Sequence, residues 1–395
     1  MPQGLPTDRW LLPDGVEELL PAEAARLETL RRRLLDTCGA WGYEQVVPPL
    51  IEFLDALLTA GGHDLELQTF KLTDPLSGRL LGVRADMTPQ VARIDAHNLK
   101  REGPTRLCYV GTVLRAYGDP LEPSRSPVQI GAELYGHAGL EADLEIIRLM
   151  LALLAESGIT DVHLDLGHVG IYRHLAQVAG LDEDSEATLF SILQRKSRPD
   201  LDAFLGGLDI PPPLKAQLAA LIALNGDDEV LFEARACLSG DEVAGAIDSL
   251  ARVAQSLRRL HPGLPIHFDL AELRGYHYHT GLVFAALVPN VGREIARGGR
   301  YDAIGAVFGR ARPAVGFSAD LKQLMRLGTL PDDGLRRRVW APAGDEPELL
   351  EAIRQLRAEG WQVIQALPGQ AEAEADCNWR LVRQDGRYLT QPITD

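Results

Sequence analysis

Stretches with helical spacing of apolar residues alternate with shorter apolar or alternating runs, the pattern of a mixed α+β chain. After a start that ends in LLPDGVEELLP, Leu27, Leu30, Leu34 and Cys38 recur at three- and four-residue spacing, with Arg26, Arg31 and Asp36 off the stripe. This predicts an amphipathic helix closed near Gly39 and Gly42. YEQVVPPLIE reads as one short strand, which Pro48 and Pro49 confine to a sheet edge. QTFKLTD and RLLGVR flank the turn Pro75-Leu76-Ser77-Gly78 and predict a hairpin. In RADMTPQVARI, Thr88 is expected to cap a helix with Pro89 at its first position. Residues 106–136 read as two long strands around the irregular loop YGDPLEPSRSPV.

Helical spacing returns at Leu144, Ile147, Leu151 and Leu154, followed by the strand VHLDLG and the amphipathic VGIYRHLAQV. From 181 to 260 the chain is Leu/Ala-rich and helical, broken by PPPLK and NGDDE, an insertion between two halves of one sheet. From Tyr276 to Phe284 aromatic and β-branched residues alternate with polar ones, which predicts a strand with Arg274 at its entrance. PAVGFSADLKQL reads as a strand running into a helix. The last roughly seventy residues, with strands RRVWAPA, WQVIQAL, NWRLV and GRYLT and helix PELLEAIRQLRAEG, fall below the usual size of a free-standing domain. The domain reading is a core of 1–180 with 261–330, a helical insertion of 181–260, and a small C-terminal α/β unit of 331–395.

Candidate chemistry gathers at ELRGYHYHTGLVF and ARGGRYD. The Arg274 guanidinium is a permanent donor fork suited to a carboxylate. Gly298 and Gly299 permit close backbone approach, and Arg300 and Tyr301 follow as polar reach and aromatic wall. These residues fit a pocket for a small anionic or zwitterionic ligand, and equally a glycine hairpin with surface arginines. A net charge of -16 argues against a strongly basic nucleic-acid surface and leaves a local basic groove open. Four cysteines, Cys38, Cys108, Cys237 and Cys377, form no CxxC pair, so neither a zinc ribbon nor a disulfide framework is expected and a reducing cytoplasm fits. The N-terminus has no basic region followed by an apolar run, and nothing approaches the roughly 18 apolar residues of a membrane span. His277 and His279, two apart, have the spacing of a zinc pair but no third ligand nearby, so no metal is expected. No G-x-G-x-x-G or Walker A run calls for a nucleotide cofactor.

RGYHYHTGLVF and ARGGRYD resemble the two histidine-pocket motifs of histidyl-tRNA synthetases, with Tyr278 and His279 in the places of paired tyrosines. RADMT resembles their R-P-E-x-T segment, with Asp86 one methylene shorter. The N-terminal helix and proline-ended strand resemble the first class II motif, the strands around YGDPLEPSRSPV the second, and PAVGFSADLKQL the third. The resemblance covers roughly residues 10 to 330 and implies a class II aminoacyl-tRNA synthetase-like core, an antiparallel sheet flanked by helices. It departs where synthetases hold ATP. Tyr117 stands for the adenine-reading glutamate, Gln323 for the γ-phosphate arginine, and Asp320 adds a negative charge beside them.

This pattern, with a curtailed C-terminus, is similar to the regulatory subunits of ATP phosphoribosyltransferase. That resemblance implies a chain without chemistry of its own and without tRNA, which assembles with a short catalytic subunit, activates it, and relays inhibition by L-histidine. It also implies a homodimer through the first motif. By the same analogy Asp86 and Thr88 hold the α-amino group, and Arg115, Gln129 and Arg274 the carboxylate. Glu133, Tyr278 and His279 surround the imidazole, with Tyr301 as a wall. A carboxylate at Glu133 can accept from an imidazole N–H. The alternatives are an active histidyl-tRNA synthetase and a stand-alone amino-acid-sensing paralogue.

Overall fold

The computed structural model describes residues 10–59, 62–118, 124–272, 275, 278–329, 337–370 and 377–393. The chain divides into two compact units, 1–329 and 330–395. The N-terminal stripe forms α1 (Pro21–Ala40) and buries Leu30, Leu34 and Cys38, each leucine contributing about 1.5–3 kcal/mol of burial free energy. The helix ends where the Trp41 N–H returns to the Thr37 and Cys38 carbonyls and Gly42 takes φ +83°, as the two glycines predict.

YEQVVPPLIE is two strands in two sheets, not one: β1 (Glu44–Gln45) and β2 (Ile51–Phe53). Two prolines without N–H groups break the ladder between them, and the Arg84 guanidinium fills the gap by donating to the Pro48 carbonyl at 2.6 Å. After α2 (Leu54–Leu58) and α3 (Gly62–Gln68) comes the expected hairpin of β3 (Phe70–Thr73) and β4 (Leu80–Val83), which β2 joins in the order β2-β4-β3. In α4 (Thr88–Arg93), Thr88 is the first helical residue rather than the cap. Its hydroxyl lies 3.1 Å from that of Tyr109, and the Asp86 carboxylate takes its N–H instead. The helix widens into a π-helical turn, Ile94–Leu99, ending at Lys100 with φ +52°.

The long strands are β5 (Thr105–Thr112) and β6 (Val128–Tyr135), followed by α5 (Leu140–Glu156), β7 (His163–His168) and α6 (Val169–Val178). The helical stretch gives α7 (Glu183–Gln194), α8 (Arg198–Gly207), α9 (Pro212–Ala220), a two-residue β8 (Asn225–Gly226), α10 (Glu229–Cys237) and α11 (Asp241–Leu260). Helix α11 packs on α5, α6 and β7, within the same compact unit as the sheet. The sheet resumes with β9 (Ile266–Asp269), β10 (Leu282–Leu287) and β11 (Ala296–Arg300), then a short 3-10 helix (Ile304–Phe308), β12 (Ala314–Asp320) and α12 (Leu321–Leu327).

Nine strands run in the order β1-β5-β6-β12-β11-β10-β7-β9-β8. The sheet is antiparallel except where β1 pairs with β5 and β7 with β9 in parallel. A parallel pair needs a long crossover, and the helices of 169–260 supply it between β7 and β9. The strand expected from Tyr276 begins only at Leu282. Before it, the Tyr278 and His279 N–H groups both bond the Gly275 carbonyl at 2.8 Å in a turn that Gly275 enters at φ +70°. Arg274, Tyr276 and His277 lie outside the described residues.

The second unit is a four-stranded sheet, β14-β13-β15-β16, made of β13 (Arg338–Ala341), β14 (Gln362–Gln365), β15 (Trp379–Gln384) and β16 (Arg387–Pro392) with α13 (Pro347–Ala358). Its own core is Val339, Ala341, Leu349, Ile353, Val363 and Leu381.

Candidate functional site

Strands β5, β6, β12 and β11 lie side by side, so residues in direct register share a face. Glu133 on β6 stands opposite Gly316 on β12, which stands opposite Gly299 on β11. The absence of side chains along this row makes room for the Glu133 carboxyl and the His279 ring. A methyl group on Gly316 would collide with the Glu133 carboxyl, and one on Gly299 would lie 2.8 Å from the His279 ring. On the neighbouring β5, Tyr109 occupies the room left by Gly131 of β6, where a Cβ would sit 2.5 Å from its Cζ.

Within this frame the Glu133 carboxyl is buried and accepts from two phenols, Tyr109 at 2.9 Å and Tyr301 at a shorter distance. Burial drives its pKa up to about 8. The tyrosine hydrogen bonds pull the other way and the Asp86 charge adds to the rise. The Thr88 hydroxyl continues the chain to Tyr109. Asp86 Oδ1 accepts from the Thr88 N–H at 3.1 Å and from the Gln129 side-chain amide at 2.7 Å. The Gln129 oxygen accepts the Met87 N–H at 2.9 Å, which fixes the orientation of its amide.

An aromatic wall closes the space. Tyr278 and Tyr301 lie with centroids 4.9 Å apart, His279 meets Tyr278 edge-on at 5.3 Å, and Tyr135 meets Tyr301 edge-on at 6.5 Å. Burial raises all four phenols (Tyr109, Tyr135, Tyr278 and Tyr301) well above their ordinary range. It pushes the His279 imidazole down to about 4, against a smaller upward pull from the Arg300 backbone, so the ring is neutral at pH 7. The Tyr278 hydroxyl and His279 Nδ1 are buried without a hydrogen-bond partner among the described residues. Two such groups beside a carboxyl of intermediate pKa suit a small ring that both donates and accepts hydrogen bonds.

Seven of the nine residues singled out in the sequence, Asp86, Thr88, Gln129, Glu133, Tyr278, His279 and Tyr301, form one connected network. Arg115 sits beyond the end of β5, where its backbone bridges Thr69 and bonds the Arg125 backbone. Arg274 is outside the described residues. Tyr109 and Tyr135 join the network without having been singled out. Alternation in LCYVGT, opposite a strand carrying Gly131, was the available signal for Tyr109. Arg300 does not reach toward the site. It is buried, donates to Asp143 at 2.7 Å and bonds the His137 and Gly139 carbonyls, so it clamps α5 to the sheet.

Four residues along the same strands the surface changes character. Gln129 on β6 faces Asp320 on β12, whose carboxylate caps α12 through the Lys322 N–H at 3.0 Å and accepts the Val128 N–H at 3.1 Å. The buried Lys322 ammonium donates to the Ser126 carbonyl at 2.9 Å and lies 3.4 Å from Glu17. Arg326 pairs with Glu17 at 2.6 Å. Burial works to raise the Glu17 pKa, but Arg326 and Lys322 outweigh it and hold the carboxyl below its usual range. Arg125 ties the Asp14 and Gly15 carbonyls to the same corner, while Tyr117 is exposed.

Among the described residues the one group with metal-ligand spacing is Asp165, Asp269 and Glu272. Asp269 is paired with Lys196 at 2.7 Å and Asp165 with His267 at 2.7 Å. No helix of the described residues is long and apolar enough to cross a membrane.

The histidyl-tRNA synthetase family profile matches residues 15–324, and the profile of the ATP phosphoribosyltransferase subunit HisZ C-terminal domain matches residues 336–391. Proteins named ATP phosphoribosyltransferase regulatory subunit, from Thioalkalivibrio sulfidiphilus and Methylococcus capsulatus, are each 57% identical to this chain. They align over 98% of it and over 99% and 97% of their own lengths. The crystal structure of an ATP phosphoribosyltransferase regulatory subunit/histidyl-tRNA synthetase from Bacillus halodurans superposes with a TM-score of 0.82 at 26% identity, covering 94% of this chain and 96% of that one. A histidyl-tRNA synthetase from Nostoc shares the fold, with a TM-score of 0.76 at 19% identity over 97% of both chains.

Proposed function

This chain belongs to the family of ATP phosphoribosyltransferase regulatory subunits, and from that premise we propose that it binds L-histidine in the Glu133 pocket and passes that occupancy to a catalytic ATP phosphoribosyltransferase chain. It assembles with that chain in the cytoplasm, activates it, and inhibits it when histidine is bound. The observation that carries this reading is the contrast along β6 and β12. Hydrogen-bonding groups gather around the buried Glu133 carboxyl, with the Tyr278 hydroxyl and His279 Nδ1 left without partners among the described residues, while the charges near Asp320 pair within the protein.

In this reading Asp86 and Thr88 meet the α-ammonium of histidine, with Gln129 orienting the Asp86 carboxylate. Arg274 and Arg115 serve its carboxylate. Glu133, Tyr278 and His279 surround the imidazole, and a carboxyl with a pKa of about 8 can share a proton with that ring in either direction. Exposed Val47, Leu50 and Ile51, in the proline-broken segment that follows α1 and β1, favour pairing of two copies through this segment. For histidine to inhibit, it must bind the inhibited assembly more tightly than the active one, and the catalytic chain then alters histidine affinity by the same factor.

The test is reconstitution with a short catalytic subunit from the same source, assayed alone and with this chain, each with and without histidine. Activation by the chain, with histidine inhibition only in the mixture, is the expected result. Absence of both effects overturns the proposal, and histidine-dependent ATP–pyrophosphate exchange by this chain alone would replace it with a synthetase.

A further inference from the structure

A cavity of about 420 Å³ opens between the π-helical turn and the 3-10 helix. It is lined by His97, Lys100 and Arg310 with the Phe308 ring, against one carboxylate, Glu102. In a chain with a net charge of -16 this is a local concentration of opposite sign. Glu102 does little to cancel it, since its side chain is 98% exposed and 3.8 Å from the guanidinium of Arg310.

Two of the three donors stand on constrained backbone. Lys100 closes the π-helical turn in the left-handed region, φ +52°, a conformation that a lysine adopts only when its surroundings impose it. Arg310 follows Gly309, which takes φ +88°, and its Nη1 is buried without a hydrogen-bond partner among the described residues. The nearby helix-end carbonyls are already satisfied. Asp95 O accepts the Lys100 N–H, Gly305 O that of Arg310, and Ala306 O that of Gly309. The buried Asp95 carboxylate is paired with Arg312 at 3.3 Å, and Arg310 acts on it only as a weaker, more distant charge.

We propose that this cavity binds the phosphate group of a small phosphorylated molecule. A carboxylate is planar and is saturated by one bidentate arginine. A phosphate carries more charge on oxygens that point in several directions, and so engages a guanidinium, an ammonium and an imidazole from separate elements at once. Phe308 provides an apolar surface for whatever carries the phosphate. That ring also packs against the buried cluster that contains Tyr301 and Tyr109, which links the cavity to the surroundings of Glu133.

The test is calorimetry on the full chain with two probes, inorganic pyrophosphate and ribose 5-phosphate, which separate free from sugar-borne phosphate. Wild type should bind at least one of them with an affinity that falls as salt is added. Arg310→Gln and Lys100→Asn, the second keeping a residue that tolerates left-handed backbone, should each weaken binding by about tenfold or more, as expected for loss of a charge-assisted contact. Thermal melting checks that both variants fold. L-histidine titrated into the same variants should behave as in wild type, so the outcome stands apart from the reading of the Glu133 pocket. No binding by wild type, or binding indifferent to both substitutions, overturns the proposal. Preference for a hexaglutamate peptide over both phosphates overturns it as well and makes the patch a protein-binding surface.

Discussion

Glu133 and Gln129 lie on one face of one strand, and both look across to β12, yet their neighbourhoods are opposites. Glu133 faces Gly316, with a row of glycine continuing to Gly299. Gln129 faces Asp320, beyond which Lys322, Arg326 and Glu17 satisfy one another. The first neighbourhood leaves the Tyr278 hydroxyl and His279 Nδ1 without hydrogen-bond partners among the described residues, while in the second Glu17 is paired with both Lys322 and Arg326. On the proposed reading, whether a sheet surface binds a ligand depends less on how many charged residues it carries than on how many polar groups remain unmatched after folding.

The largest effect should come from filling the glycine row. Gly316→Ala puts a methyl group into the Glu133 carboxyl and 2.8 Å from the Ala132 carbonyl. The expected destabilisation is about 3 kcal/mol by urea unfolding. Adding Glu133→Ala should recover part of it. Equal losses in the single and double variants would show that the clash lies with the backbone alone.

Next comes Glu133→Gln, which should lower histidine affinity about tenfold or more by calorimetry and change how stability depends on pH. The folded carboxyl has a raised pKa. The stability linked to it is fully present below the ordinary carboxylate range and is lost as pH rises through about 8. The wild-type advantage over the variant should thus shrink between these limits. His279 runs the other way, since its pKa is depressed. Its contribution is present above the ordinary imidazole range and lost as pH falls toward about 4. A flat difference curve for Glu133→Gln would mean that the carboxyl is ionised in the native state.

Tyr301→Phe removes one of the two phenols that donate to Glu133 and should cost about 1–2 kcal/mol, read as a lower urea midpoint with unchanged slope. The smallest change is expected from restoring the synthetase-like cation at the other end. Gln323→Arg should leave histidine affinity within about twofold and produce no ATP–pyrophosphate exchange, because Asp320 and Lys322 stay engaged with Val128 and Ser126. Exchange activity in that variant would sink the contrast.

Much of this was legible in the chain. Periodicity located α1, the β3–β4 hairpin and the β5–β6 pair, and with β6 in place, the four-residue spacing of Gln129 and Glu133 puts both on one face. The turn that holds Tyr278 and His279 was hidden because its aromatic residues alternate as a strand does, and only Gly275 at positive φ distinguishes it. Arg300 was misjudged because its partner, Asp143, lies 157 residues earlier. Local pattern carries no trace of such a match. The split of YEQVVPPLIE between two sheets likewise depends on Arg84, reaching back from 36 residues away.

The long reach of these contacts sets an order of events. Tyr301 meets Glu133 across 168 residues, and Gly316 is threaded between β6 and β11 later still. A nascent chain therefore has Asp86, Thr88, Tyr109 and Glu133 in hand long before it has a pocket, and the slow closure of distant strands is the last step that makes one. If the Glu133 pocket binds histidine as proposed, the ligand stabilises only a chain whose central sheet is complete, and so discriminates finished subunits from unfinished ones before any partner is met.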